Sequence, residues 1–184
     1  MKTIVCNGKI MKKLSEFLNV GKPLLIAPTM DYHKTVWSLA FANSMIKDNK
    51  SVKYFNLYET SDEVNKVWEE YNWGFGCLAT KNDVYKKISD IDEIINCIED
   101  EKPNIAIIDC IDPRFNLVSN YTDFKQIFTK LESVSTKNNT AIVVISGSFP
   151  ELGDRKELDD IDSYFSKMIS LKDANMVEIK EIGL

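Results

Sequence analysis

Two adjacent residues, Lys34 and Thr35, supply a cation and a hydroxyl at the end of the segment PTMDYHKT, residues 28–35. That segment has the frame of the phosphate-cradling pattern GxxxxGK[ST]. In such a loop, backbone N–H groups and a helix N-terminus surround phosphate oxygens. The lysine neutralises charge and the hydroxyl holds Mg²⁺. Thr29, Asp31 and His33 lie in the same loop and are candidate nucleotide contacts. Asp109 closes the apolar run IAIID and, with Thr35, is a candidate to hold the metal, the aspartate gripping it through its water shell. Glu59 follows another apolar run and could orient an attacking water. Ser146, after AIVVI, is a further candidate contact at a strand end.

These residues need a scaffold that brings strand ends together. Short apolar runs alternate with amphipathic stretches along the chain, which predicts βαβ units and a parallel sheet. Strands are expected at Pro23–Ala27, Ser51–Leu57, Ile105–Asp109 and Ala141–Ser146, with a closing pair at Met168–Leu171 and Met176–Ile179. A further short strand is expected at Cys77–Thr80. Helices are expected at Lys34–Asp48, Asp90–Glu101 and Phe124–Asn138, and Thr60–Glu63 carries a helix-start signal. The expected fold is a single α/β domain over residues 1–184, three-layered and doubly wound around a mostly parallel sheet. Ligands bind such sheets beyond the carboxyl ends of the strands.

In order and spacing these segments resemble the RecA-like P-loop NTPases, and within them the C-terminal motor domain of DnaB-type replicative helicases. LLIAPTMDYHKT is similar to the family's phosphate loop and VKYFNLYETS to its second strand with the catalytic glutamate, here Glu59. NIAIIDCID resembles the metal-binding strand, with Asp109, and NNTAIVVISGS the sensor strand. The resemblance implies ATP and Mg²⁺ as ligands, with Thr35 and Asp109 on the metal. It also implies a role in DNA replication or recombination.

The departures have physical consequences. Pro28 and His33 stand where the two loop glycines belong, and no glycine occurs from Lys22 to Trp73. A Cβ at the second position blocks the close approach of backbone to phosphate. Asp31 adds a carboxylate that would repel a triphosphate if turned inward. Gly147 follows Ser146 where family helicases carry glutamine, and with only Arg114 and Arg155 in the chain no arginine finger is assigned. The expectation is a degenerate, non-hydrolysing domain that acts through protein contacts. Its partner would be a helicase, a recombinase or a second copy. The alternatives are an active ATPase with an atypical loop, and a different doubly wound fold in which the Lys-Thr pair is coincidental.

Composition narrows the partners. The net charge is −5, and the stretch Gly147–Asp162 carries Glu151, Asp154, Glu157, Asp159, Asp160 and Asp162 against Arg155 and Lys156. Such a loop repels a phosphate backbone and suits a protein partner better, so DNA binding by this chain alone is expected to be weak. No run reaches the roughly 18 apolar residues of a membrane helix, and no signal peptide opens the chain, so a cytoplasmic protein is expected. Cys6, Cys77, Cys97 and Cys110 form no CxxC pair and read as free thiols. Trp68, Trp73 and Phe75 read as packing residues.

Overall fold

The computed structural model describes residues 12, 14–28, 34–57, 62, 64, 66, 84–88, 90–109, 111, 121–146, 165–171 and 177–181. Seven strands form one sheet: β1 (Leu24–Pro28), β2 (Val52–Asn56), β3 (Tyr85–Lys87), β4 (Ile105–Asp109), β5 (Ala141–Ile145), β6 (Lys167–Leu171) and β7 (Val177–Glu181). Among the described residues, three continuous helices join them: α1 (Lys34–Lys47), α2 (Ile91–Glu101) and α3 (Tyr121–Asn138). The strand order is β3-β2-β4-β5-β1-β6-β7. All neighbours are parallel except β6 and β7, which pair antiparallel as the expected closing pair.

Alternation along the central strands builds two cores. Leu24, Ile26, Val52, Tyr54, Ile105, Ile107, Val143 and Ile145 share one face with the buried residues of α1. Leu25, Phe55, Ala106, Ile108, Ile142 and Val144 face α2 and α3 on the other. A parallel sheet covered on both faces needs strands apolar at every position, and β4 and β5 fit that rule up to Asp109.

The helices differ in what they cover. In α1, Val36 through Asn43 are all buried, as is Met45. A helix buried on most sides has company on its outer surface, and here Leu14, Phe17, Leu18 and Val64 pack into the same core. By contrast α2 is amphipathic, burying Ile94, Cys97 and Ile98. Its N-cap Asp90 accepts the Glu93 N–H at 2.9 Å. Each helix is followed by a left-handed residue without glycine, at Asn49 (φ 58°), Lys102 (φ 45°) and Asn139 (φ 55°). Asparagine tolerates that conformation through its short polar side chain.

Helix α3 begins three residues earlier than periodicity predicts, at Tyr121 rather than Phe124. The expected strand at 77–80 lies outside the described residues, and the edge strand β3 at Tyr85–Lys87 was not foreseen. With a burial pattern of one buried and two exposed residues, β3 carries too little apolar signal to be read from sequence. Positions 62, 64 and 66 are helical, in line with the start signal at 60–63.

Candidate functional site

The site is built at the carboxyl ends of the central strands. Asp109 is the last residue of β4, in register with Asn56 of β2 and Ile145 of β5. It continues the alternation of Ile105 and Ile107, so it lies on the α1 side of the sheet. There it is 4% exposed. A carboxylate this buried must be hydrogen-bonded to persist.

Two hydroxyls are among its partners. Ser38 Oγ on α1 lies 3.0 Å from Asp109 Oδ2. Tyr54 on β2 donates a hydrogen bond from its phenol to the same oxygen. Ser38 Oγ and Tyr54 OH are themselves 2.7 Å apart. Ser38 also reaches the Thr35 carbonyl at 3.0 Å. The three oxygens form a closed triangle with Ser38 and Tyr54 both wholly buried. Each hydroxyl carries a single proton, so the Ser38 proton is shared among the Thr35 carbonyl, Tyr54 and Asp109.

Strand parity and helix rise explain why these residues meet. Tyr54 and Asp109 sit on neighbouring strands with side chains on the same face. Ser38 is three residues beyond Thr35, about 4.5 Å further along the helix axis. Asp109 is therefore anchored about one helical turn inside the mouth of α1. Oδ2 accepts from Tyr54 and lies within hydrogen-bond reach of Ser38.

The other expected residues separate into two groups. Lys34 opens α1, and Thr35 follows it, partly buried in the first turn. That turn holds no acidic residue, which leaves the positive end of the helix dipole uncompensated from within. Ser146 is fully buried; its N–H donates to the Ile26 carbonyl at 3.1 Å and its hydroxyl to the Ile111 carbonyl at 2.9 Å. It ties the end of β5 to β1 and to the chain after β4. Thr29, Asp31, His33 and Glu59 lie outside the described residues, as do residues 112–120 and 147–164, the aromatics Trp68, Trp73 and Phe75, and Cys6, Cys77 and Cys110.

Sequence reasoning missed Ser38 and Tyr54. Parity offered a signal for Tyr54, because residues 52 and 54 share the face that Asp109 occupies. Nothing in the sequence marks Ser38 beyond its spacing from Thr35.

A second polar cluster lies on the opposite face. Lys53, with its side chain 8% exposed, pairs with Glu101 at the end of α2. Cys97 Sγ donates to Glu101 Oε1 at 3.1 Å. Burial first, and the neighbouring carboxylate second, push the Cys97 thiol up to about 11. The Lys53 hydrogen bond holds the Glu101 carboxyl below its ordinary range. A thiol so raised is a poor nucleophile. Among the described residues no group of His, Cys, Asp and Glu could hold a metal ion, and no helix is long and apolar enough to cross a membrane.

No protein-family model matches the chain, and no curated relative does. The flagellar accessory protein FlaH from Methanocaldococcus jannaschii superposes with a TM-score of 0.68 at 11% identity, over 95% of this chain and 84% of that one. The fold is RecA-like. Within this RecA-like sheet, β5 lies between β1 and β4, so it separates the strand leading to Lys34 from the strand bearing Asp109. The carboxyl ends of β1, β4 and β5 line up along one border of the sheet.

Proposed function

We propose that this RecA-like chain is a degenerate, non-hydrolysing domain that works through protein contacts, as an accessory or regulatory factor in DNA replication or recombination. The supporting observation is the Ser38–Tyr54–Asp109 triangle. Asp109, the candidate metal-holding carboxylate, is hydrogen-bonded to two hydroxyls of its own chain, one turn inside the helix mouth. The loop sequence agrees, since Pro28 and His33 replace both glycines that would let backbone approach phosphate. The similar protein FlaH is itself described as an accessory protein. The net charge of −5 favours a protein partner over direct DNA binding. The partner class is a helicase or recombinase of the same fold, or a second copy.

A thermal melt with and without MgATP tests this reading. A ligand at a hundred times its dissociation constant adds about 2.7 kcal/mol of stability. In a chain of this size that is a rise in Tm of roughly 5–11 °C. The expected result is no shift at millimolar MgATP and no phosphate release. Phosphate release that disappears in Lys34→Ala would overturn the proposal.

The alignment of the strand ends favours a second reading, an active ATPase with an atypical phosphate loop. Lys34 and Thr35 open α1 where a phosphate would meet the helix dipole. In that case Lys34 and Thr35 would contact nucleotide, Thr35 and Asp109 would share the Mg²⁺, and Glu59 would orient water. The same phosphate-release assay separates the two.

A further inference from the structure

We propose that a cleft at the amino-terminal border of the sheet binds a free α-amino acid with an apolar side chain. The cleft holds about 340 Å³, within the roughly 300–1,000 Å³ of small-molecule sites. It lies where β4 and β5 begin, at the register pair Ile105 and Ala141, beside the end of α1. Asp109 closes the other end of β4, about 13 Å away at roughly 3.3 Å per residue. The cleft is therefore separate from the site at the carboxyl ends of the strands.

The floor and the rim differ in chemistry. Leu18, Met45, Ile105 and Ala141 supply the apolar floor, and Met45 is unbranched, so it adapts to apolar groups of different shape. Backbone groups around the floor are already used: the Lys50 N–H donates to the Met45 carbonyl and the Ala141 N–H to the Asn104 carbonyl, both at 3.0 Å. Recognition falls to three exposed side chains at the rim, Asp48, Lys50 and Asn104. Asn104 Oδ1 accepts from the Ser51 N–H at 2.9 Å and lies 3.0 Å from the Ser51 hydroxyl that donates to it. That fixes the amide and leaves its NH₂ group as a donor. Neither Asp48 nor Lys50 takes part in a salt bridge among the described residues. The rim thus offers one anion, one cation and one neutral donor, with the two charges separated only by Asn49 in its left-handed conformation. A ligand of a single sign would meet a like charge there. A zwitterion satisfies both: its carboxylate accepts from Lys50 and Asn104, its ammonium donates to Asp48, and its side chain lies on the apolar floor. An α-amino acid carries all three groups on one carbon, which suits a cleft of this size.

Isothermal titration calorimetry of the full chain tests this, with L-leucine, L-methionine and L-phenylalanine as probes. At least one should bind with roughly millimolar affinity or better. The N-acetyl and the amide derivative of that amino acid each lack one charge, and each should bind at least about tenfold more weakly, the loss of one charge-assisted hydrogen bond. Asp48→Asn and Lys50→Met, both at exposed positions outside the core, should each weaken binding of the free amino acid by a similar factor. Circular dichroism of each variant confirms that folding is intact. No heat from any of the three amino acids at about 10 millimolar, well above that affinity, would overturn the proposal. So would derivatives that bind as well as the free amino acid, or binding unchanged in either variant.

Discussion

Replacing Tyr54 by phenylalanine isolates the hydroxyl at the centre of the buried triangle. The ring stays, so its packing in the core and its stacking on Tyr85, with centroids 6.1 Å apart, are retained. What is lost is a donor to a carboxylate that is 4% exposed and cannot be rescued readily by solvent. A hydrogen bond to a charged group contributes about 1.5–3 kcal/mol. With Ser38 left as a partner for the same oxygen at 3.0 Å, a loss of about 2 kcal/mol is expected. That lowers Tm by roughly 4–8 °C for a chain of this size. The diagnostic is a double-mutant cycle in urea with Asp109→Asn. A neutral partner reduces the hydroxyl's contribution to about 1 kcal/mol, leaving a coupling of about 1 kcal/mol. A cost for Tyr54→Phe below about 0.5 kcal/mol would refute the claim that the triangle holds a buried charge. An equal cost in both backgrounds would refute it too.

The cluster on the other face makes two further predictions. Cys97 ionises near 11 when folded, against an ordinary value of 9.0. The folded state therefore keeps its thiol proton where the unfolded chain loses it, and stability should fall as pH rises from 9 toward 11. Cys97→Ala should flatten that part of the urea-midpoint profile, and an unchanged profile would refute the assignment. Glu101, held below its ordinary 4.5 by Lys53, contributes stability that is present above that pH and lost as pH falls through its folded value. Because Lys53 is the more buried partner, Glu101→Gln should destabilise more than Lys53→Met, which removes the buried charge while keeping the stem. The reverse order in urea melts would show that the pair does not compensate a buried cation.

The sequence by itself determined the layered α/β architecture, because strands buried on both faces must be apolar at every position. Ile105–Asp109 and Ala141–Ile145 show that pattern within one residue of their bounds. It also put Asp109 at a strand's carboxyl end and Lys34 at a helix start, since both sit where an apolar period begins or stops. Edge strand β3 escaped it, because two exposed lysines in three residues carry no alternating signal. Only the tertiary structure decided which side chains Asp109 meets. Its partners, Ser38 and Tyr54, are 71 and 55 residues away in sequence. They meet it because β2 pairs directly with β4 while α1 crosses over both, and a register between strands is a property of their pairing, not of either strand alone.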